Sequence, residues 1–297
     1  MLRLSGSNAS VANYVPILTV KINFEIAGIS VGTGKLFLMA GPCVIESEAH
    51  ARKMADALQR ITSDLKIPFI FKASYDKANR TSLESFRGPG LREGTHILRT
   101  IREQTGLPVL TDVHEPSQCE AVAEAVDVLQ IPAFLCRQTD LLVAAARTGR
   151  AINVKKGQFV APHDMKYTVA KITASGNGRV FLTERGASFG YNNLVVDMRS
   201  LAIMRTLAPV VFDGTHSVQT PSAANGVSGG NPEFIPLLAR AAVAAGVDGL
   251  FIEVHDDPAN AKSDGANALQ LDKLRPLLTT LLAIQQAAEP LVGQSAT

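Results

Sequence analysis

Eight short apolar segments alternate along the chain with longer segments of helical periodicity. This alternation is typical of a parallel sheet wound with helices, and eight strand–helix units are the number that closes a (β/α)8 TIM barrel. An open doubly wound sheet of six or seven strands is the alternative, which the count disfavours. The predicted strands cover 36–43, 68–74, 108–114, 128–133, 151–157, 179–186, 209–216 and 249–255, and helical periodicity marks 48–61, 95–105, 140–149, 234–246 and 272–288.

The chain shows no linker or internal repeat that would divide it. Its 297 residues exceed the usual domain size, but a barrel of this class reaches about 250 residues as one domain. A short N-terminal β-hairpin is predicted over 18–31, with its turn near Gly28, and the small polar residues before it predict a disordered extension over 1–17. We therefore expect a single catalytic barrel domain over 18–297.

Charge and cysteine usage exclude several classes of function. The net charge is only +2, and no basic run is interleaved with aromatic residues, so neither nucleic acid nor a membrane surface is an expected partner. No segment reaches the ~18 apolar residues of a membrane span. Cys43, Cys119 and Cys136 lack zinc-ribbon or disulfide spacing. These features favour a reducing compartment, and we expect a cytoplasmic enzyme.

Most of the predicted strands end in residues that do not belong in an apolar core. In a parallel barrel all strand carboxyl ends open on one face, which is where barrel enzymes place their chemistry. Burying each charge separately would cost several kcal/mol. Any one of these polar residues could equally well lie at the solvent-exposed start of a loop, but seven such strand ends together predict one shared cavity. The seven are Cys43, Lys72, Asp112, Lys155, Arg185, His216 and Glu253, while the fourth strand is followed closely by Arg137.

The polar residues form two sets. A cationic set predicts substrates that carry two phosphates, or a phosphate and a carboxylate; it comprises Lys72, Lys77, Arg80, Arg137, Lys155 and Arg185. A second set of thiol, imidazole and carboxylates is a plausible shell for a divalent transition metal; it comprises Cys43, His216, Glu253 and Asp264. Residue types alone leave this metal site open, because a lone cysteine is more often a small buried hydrophobe.

Two connections are unusually long for an α/β protein. Residues 73–93 and 217–233 are rich in glycine, serine and proline, and long connections in compact domains are often lids or binding loops. A tolerated surface insertion is the alternative for each.

These residues lie in motifs through which the chain resembles the 3-deoxy-D-manno-octulosonate 8-phosphate synthases. The resemblance covers roughly 18–285, with the motifs in family order. The matching segments are AGPCVIES (40–47), FKASYDKANRTS (71–82), SFRGPGL (85–91), QIPAFLCRQTDLL (130–142), NVKKGQF (153–159), LTERGASFGYNNLVVDMRS (182–200), DGTHSVQ (213–219), FIEVH (251–255) and SDGANAL (263–269).

The resemblance implies a reaction and an assembly. Phosphoenolpyruvate, D-arabinose 5-phosphate and water would give 3-deoxy-D-manno-octulosonate 8-phosphate and inorganic phosphate, in lipopolysaccharide biosynthesis. The family fold is a (β/α)8 barrel, commonly a homotetramer. The matching of Arg137 implies that this arginine enters the active site of a neighbouring subunit.

Family roles are implied for the other matching residues. Phosphoenolpyruvate would be bound by Lys72, Lys77, Lys155 and Arg185 near Ser74. The sugar phosphate would be bound by Asn79, Arg80 and the Thr81 hydroxyl, where many relatives have serine, and the sugar hydroxyls by Asp112.

Two positions match the metal-dependent branch of the family. Cys43 stands where the metal-independent branch has asparagine, and Ser263 where that branch usually has cysteine. The resemblance thus implies a divalent metal such as Zn, Fe or Mn, held by Cys43, His216, Glu253 and Asp264.

The expected catalytic groups are Lys77, His216, Asp264 and Cys43. Lys77 is the candidate proton donor to the aldehyde oxygen, since burial and neighbouring cations are expected to lower its pKa. One alternative is the related synthase of the shikimate pathway, whose loop typically contains KPRTS where this chain has KANRTS. Another is a catalytically inactive barrel that senses sugar phosphates.

Overall fold

The computed structural model describes residues 22–80, 82–224 and 227–293. Its strands are β1 (Phe24–Ile26), β2 (Ile29–Val31), β3 (Phe37–Gly41), β4 (Phe69–Lys72), β5 (Val109–Asp112), β6 (Val128–Ile131), β7 (Ala151–Lys155), β8 (Val180–Glu184), β9 (Ala187–Ser188), β10 (Leu194–Val195), β11 (Val210–Asp213), β12 (Gln219–Ala224), β13 (Val227–Gly230), β14 (Gly249–His255) and β15 (Leu269–Gln270). Its α-helices are α1 (Glu48–Leu65), α2 (Leu91–Thr105), α3 (Cys119–Ala125), α4 (Thr139–Arg147), α5 (Met165–Ala174), α6 (Arg199–Arg205), α7 (Ile235–Ala244) and α8 (Leu271–Gly293).

Eight parallel strands close into a barrel in the order β3, β4, β5, β6, β7, β8, β11 and β14. Closure comes from the last strand, which pairs with β11 on one side and with β3 on the other. All eight predicted strand segments contain one of these strands, and a helix follows each of them. The predicted (β/α)8 barrel is therefore confirmed, and the open doubly wound sheet is excluded.

Side chains alternate between two apolar layers, as the two-residue period of a strand requires. Along β3, Phe37 and Met39 pack inside the barrel, whereas Leu38 and Ala40 belong to the larger core beneath the helices. The interior layer is completed from the other strands by Ile70, Leu110, Val128, Ala151, Phe181, Val211 and Phe251. Most of these side chains come from the first half of their strands, so the opposite end of the barrel is left for polar groups.

The predicted N-terminal hairpin is present as the antiparallel pair β1–β2. Ala27 and Gly28 both have positive φ, as a two-residue hairpin turn demands. Ile26, Ile29 and Val31 join the interior apolar cluster, so the hairpin covers the amino-terminal end of the barrel. Residues 18–21 of the predicted hairpin and the predicted extension 1–17 lie outside the described residues.

The helices bury one face each against the barrel. In α1, Ser47 caps the amino terminus by accepting the His50 backbone N–H, and Met54 and Leu58 are buried in the helix layer. Across the three described ranges, no helix combines the length and the apolar character needed to cross a bilayer.

Close packing at the end of β3 fixes where the following loop begins. A Cβ on Gly41 would lie 1.9 Å from the Lys72 carbonyl oxygen, so only glycine allows β3 and β4 to approach this closely. The loop that carries Cys43 therefore starts directly beside the end of β4. A parallel bridge between Val44 and Ser74 continues the same contact.

Candidate active site

A cavity of about 940 Å³ opens at the carboxyl ends of the barrel strands. Both long connections contribute to its wall: Lys77 and Phe86 come from the first, and Gln219 and Pro221 from the second. The structure thus places both loops at the cavity, as expected of binding loops. Its lining includes these predicted site residues: Lys72, Ser74, Lys77, Asn79, Arg80, Asp112, Lys155, Arg185, His216 and Asp264.

The four predicted metal ligands converge beside this cavity from separate parts of the chain. The Cys43 Sγ lies 3.2 Å from Asp264 Oδ2, and the His216 Nε2 lies 3.9 Å from that same oxygen. The His216 Nε2 is also 3.7 Å from Glu253 Oε1. One atom from each of Cys43, Glu253 and Asp264 lies within 4.8 Å of the others. Cys43 lies more than 170 residues before the other three in the chain, so barrel closure is what brings it to them.

The chemistry of this donor set fits a divalent transition metal. Burial raises the pKa of the Cys43 thiol well above its ordinary value, and the nearby carboxylates of Asp264 and Glu253 raise it further. A cation at this point would reverse that effect by stabilising the thiolate. Glu253 Oε2 is buried with no hydrogen-bond partner among the described residues, which leaves a carboxylate oxygen free to bind a cation.

Lys72 supports the same centre from β4. Its Nζ donates to Glu253 Oε1 at 2.8 Å and to the Cys43 carbonyl oxygen at 3.0 Å, and all three residues are buried. Burial opposes ionisation of Glu253, but Lys72 and His216 outweigh it and hold the pKa of this carboxyl below its usual range. The carboxylate is therefore charged at neutral pH.

The expected low pKa of Lys77 is wrong. Burial does disfavour its ammonium, as the sequence argument assumed, but acidic groups surround the side chain. Cys43, Glu253, Asp112 and Asp264 together raise the pKa of Lys77 well above its ordinary value. The Lys77 side chain is therefore an ammonium at neutral pH.

Sequence reasoning missed Asp213, the last residue of β11. This fully buried carboxylate accepts from Lys155 Nζ at 2.7 Å and lies 2.8 Å from His216 Nδ1. Its other oxygen accepts the backbone N–H groups of Thr215 and His216. Although burial opposes ionisation, His216 and Lys155 hold the pKa of Asp213 below its usual range. An aspartate at the end of an apolar strand within DGTHSVQ was the available signal.

Several polar atoms at the cavity are buried without a hydrogen-bond partner among the described residues. Such atoms are rare in native proteins, so their concentration at one place indicates a ligand site. Arg185 makes one bond, from Nη2 to Gln219 Oε1 at 2.9 Å, and leaves Nη1 unpaired. Burial lowers the pKa of Arg185. The unpaired atoms are Ser74 Oγ, Asp112 Oδ1, His114 Nδ1, Gln158 Oε1 and Arg185 Nη1 on lining residues, with Glu253 Oε2 beside the cavity.

The loop after β4 carries the residues predicted to bind the sugar phosphate. Arg80 donates to the carbonyl oxygens of Phe86 and Lys262, at 3.1 and 3.4 Å, and its Nη1 is 4.0 Å from Asp264 Oδ1. These contacts fix the guanidinium beside the predicted metal centre. Asn79 also lines the cavity. Thr81 lies outside the described residues.

Arg137 does not line the cavity of its own chain, and neither do the buried Cys43 and Glu253, which lie beside it. The Arg137 side chain is exposed on the segment after β6. An arginine that reaches a neighbouring subunit would have to be exposed in this way, and its role stays a prediction.

Sequence reasoning missed two further cavity residues because it had assigned the polar group of the third predicted strand to Asp112 and that of the fourth to Arg137. His114 lies 2.9 Å from Asp112 Oδ2, just after β5. Gln130 of β6 lines the cavity and donates to Asn153 Oδ1 at 2.8 Å. The fourth barrel strand therefore does contribute a polar group, one position before its last residue rather than at its end.

Comparisons with known proteins agree with this architecture. The family model described as the DAHP synthetase I family matches residues 16–289. Three curated relatives are each named 2-dehydro-3-deoxyphosphooctonate aldolase. That of Koribacter versatilis is 68% identical, with 90% of this chain and 97% of the relative covered. That of Geobacter metallireducens is 61% identical, with 85% of this chain and 93% of the relative covered. That of Pelobacter propionicus is 60% identical, with 87% of this chain and 96% of the relative covered.

Proposed function

The chain belongs to the DAHP synthetase I family, and we propose that it is a 2-dehydro-3-deoxyphosphooctonate aldolase, an enzyme also called 3-deoxy-D-manno-octulosonate 8-phosphate synthase. It condenses phosphoenolpyruvate with D-arabinose 5-phosphate and water, giving the eight-carbon product and inorganic phosphate for lipopolysaccharide biosynthesis. The activity predicted from the motifs agrees with the relatives' names. The observation that carries the proposal is the convergence of cationic side chains, with unpaired donors, beside a Cys–His–Glu–Asp cluster in one cavity.

Phosphoenolpyruvate would occupy the inner part of the cavity. Its phosphate and carboxylate need several cations, and Lys72, Lys77, Lys155 and Arg185 all reach this region. The unpaired Arg185 Nη1 is available to an anionic oxygen. Preorganised cations of this kind stabilise charge that develops during the reaction, which is often the largest contribution to catalysis.

D-arabinose 5-phosphate would enter along the loop after β4. Asn79, Arg80 and Thr81 would bind its phosphate, and Asp112, with an unpaired Oδ1, would accept from its hydroxyls.

The bond changes follow from the two substrates. C3 of phosphoenolpyruvate attacks the aldehyde carbon, and the aldehyde oxygen takes a proton to become a hydroxyl. Water adds to C2 and loses one proton, giving a hemiketal phosphate. Cleavage of the bond between C2 and the phosphate oxygen then releases inorganic phosphate, while the new hydroxyl loses its proton and becomes the keto group. The Lys77 ammonium lies within 3.9 Å of Glu253 Oε1 and is the candidate donor of the proton to the aldehyde oxygen. Its raised pKa means that the charged form is maintained until the oxygen becomes basic.

Cys43, His216, Glu253 and Asp264 would hold a divalent metal ion. When bound, such an ion could polarise the aldehyde or orient and activate the water. Asp213 fixes the orientation of His216 through Nδ1, which leaves Nε2 facing Glu253 and Asp264. Nε2 is therefore the His216 nitrogen that faces the predicted metal position.

The working form would be a cytoplasmic homotetramer in which Arg137 of one subunit completes the site of its neighbour. The exposed position of Arg137 supports this assignment. An oligomer could also bury aromatic side chains that are exposed on the loops around the barrel mouth, such as Phe134 and Phe189.

A phosphate-release assay tests the proposed function. Purified protein is given phosphoenolpyruvate with either D-arabinose 5-phosphate or erythrose 4-phosphate, the substrate of the shikimate-pathway alternative. Rapid release with the five-carbon sugar, and little with the four-carbon sugar, is expected. Preference for erythrose 4-phosphate would assign the alternative activity. Binding of both substrates without phosphate release would assign a sugar-phosphate sensor.

A further inference from the structure

A second cluster of side chains that could bind a metal is formed by residues that do not line the catalytic cavity. Glu46 follows β3, His50 is in the first turn of α1, and His255 is the last residue of β14. One ligand atom from each lies within 4.8 Å of the other two. The two imidazole rings are 4.6 Å apart between centroids.

His50 has a nitrogen lone pair available for a cation. Its Nε2 is 2.9 Å from Asp256 Oδ1, and Lys53 holds the other oxygen of this carboxylate at 2.6 Å. Because Asp256 is paired with the Lys53 ammonium, its carboxylate acts as an acceptor toward both partners. The ring proton therefore sits on Nε2. The buried Nδ1 has no partner among the described residues.

This arrangement matches the way proteins prepare histidine to bind a metal. A ligating histidine almost always donates its other ring N–H to a carboxylate or carbonyl, which fixes the tautomer. His50 already makes that bond to Asp256, and its remaining nitrogen faces no protein group that satisfies it.

Glu46 and His255 supply the other two ligands. His255 Nε2 is 3.3 Å from Glu46 Oε1, and its Nδ1 accepts the backbone N–H of Asp257. That bond leaves the ring proton on Nε2, toward Glu46. A cation at Nε2 would therefore move the proton to Nδ1 and exchange the Asp257 contact for a bond to Asp256 Oδ1, which lies 3.3 Å away. With neutral imidazoles, two carboxylates face a single ammonium, that of Lys53. The local charge therefore favours a cation over an anion.

We propose that Glu46, His50 and His255 form a second divalent-cation site, separate from the predicted catalytic centre. Two imidazoles and one carboxylate are a donor set suited to zinc and its neighbours in the first transition row, with a fourth position open to water. Without a thiolate, this site would differ spectroscopically from the one that contains Cys43.

The second site would be linked mechanically to the first. Glu46 Oε1 also accepts the backbone N–H of Lys262 at 2.7 Å, two residues before Asp264. The segment from His255 to Asp264 is thus fastened to the loop that carries Cys43. A cation on Glu46 and His255 would tighten this connection beside the active site.

Metal counting on the full chain tests the proposal. Protein stripped with chelator is dialysed against buffered Zn²⁺, and bound metal is measured per chain. We expect two ions in the wild type, one in His50→Leu, one in Cys43→Ser and none in the double variant. His96→Leu, which replaces an exposed histidine on α2, is the matched control and should keep two. With Co²⁺, His50→Leu should keep the near-ultraviolet thiolate-to-metal band, and Cys43→Ser should lose it.

One ion per wild-type chain, or two in His50→Leu, would overturn the proposal and leave the cluster as a hydrogen-bonded link only. If His50→Leu does not fold, anomalous scattering at the zinc edge from wild-type crystals decides instead. A peak between His50 and His255 supports the site, and its absence overturns it. Neither measurement involves turnover, so the result is independent of the proposed condensation.

Discussion

Lys155 and His216 share one oxygen of Asp213: the lysine Nζ is 2.7 Å from Oδ2 and the imidazole Nδ1 is 2.8 Å from it. The two groups are themselves 3.2 Å apart. A predicted phosphoenolpyruvate ligand and a predicted metal ligand are therefore positioned by the same buried carboxylate. Asp213 thereby couples the predicted substrate site to the predicted metal centre.

Asp213→Asn should damage both functions at once. The amide cannot balance the Lys155 ammonium, and it no longer fixes the His216 ring as a carboxylate does. We expect kcat/KM in the phosphate-release assay to fall about 100-fold, roughly 2.7 kcal/mol of transition-state stabilisation. Asp197→Asn is the control, since Asp197 pairs with Arg199 on the surface, where such pairs contribute about 0–1 kcal/mol. Equal activity in the two variants would contradict the coupling.

Removal of the metal should abolish activity reversibly. Chelator-treated enzyme is expected to lose phosphate release and to recover it when a divalent ion is added back. Cys43→Asn should bind the metal more weakly, because an amide replaces the soft thiolate ligand. Cys136→Ala, which removes another buried thiol, is the control for cysteine loss. Full activity of the wild type in chelator would refute a required metal.

Arg80→Ala should affect the two substrates unequally. Its guanidinium lies on the loop predicted to bind the sugar phosphate, whereas other cations bind phosphoenolpyruvate. We expect KM for D-arabinose 5-phosphate to rise about tenfold or more, as for loss of a charge-assisted hydrogen bond, with a small change in KM for phosphoenolpyruvate. Arg92→Ala, at an exposed position of α2, is the control. Parallel increases in both KM values would argue against the assigned position.

Acid should destabilise the fold partly through Asp112. Burial opposes its ionisation, but His114, Lys77 and Lys72 outweigh burial and hold its pKa below the usual range. A carboxyl whose pKa is lower in the folded state than in the unfolded chain stabilises the fold at pH values above the unfolded-state pKa, about 3.9 for aspartate. This stabilisation is lost as the pH falls toward the folded-state pKa. The free energy of unfolding should therefore decline more steeply below about pH 4 in the wild type than in Asp112→Asn. Denaturant titrations from pH 6 to 2.5 measure this slope, with Asp140→Asn, at an exposed position of α4, as the control. Identical slopes in wild type and Asp112→Asn would contradict the stabilising role.

The sequence by itself predicted the barrel and most of its mouth. Alternating apolar segments specify strands and helices locally, and the parallel arrangement sends every strand end to one face, so Lys72, Lys155 and Glu253 had to meet there. The motifs supplied the family and the ligand set. These inferences need only local periodicity and topology, not side-chain coordinates.

Tertiary structure decided what depends on several groups at once. The pKa of Lys77 rises rather than falls because four acidic neighbours from different strands and loops outweigh burial. Asp213 was overlooked because its role depends on two residues that are 61 positions apart in the sequence. Only the folded barrel brings Lys155 and His216 to the Asp213 carboxylate. Likewise the cluster of Glu46, His50 and His255 joins positions more than 200 residues apart. Electrostatic environment is a sum over spatial neighbours, and the linear order of residues does not contain that sum.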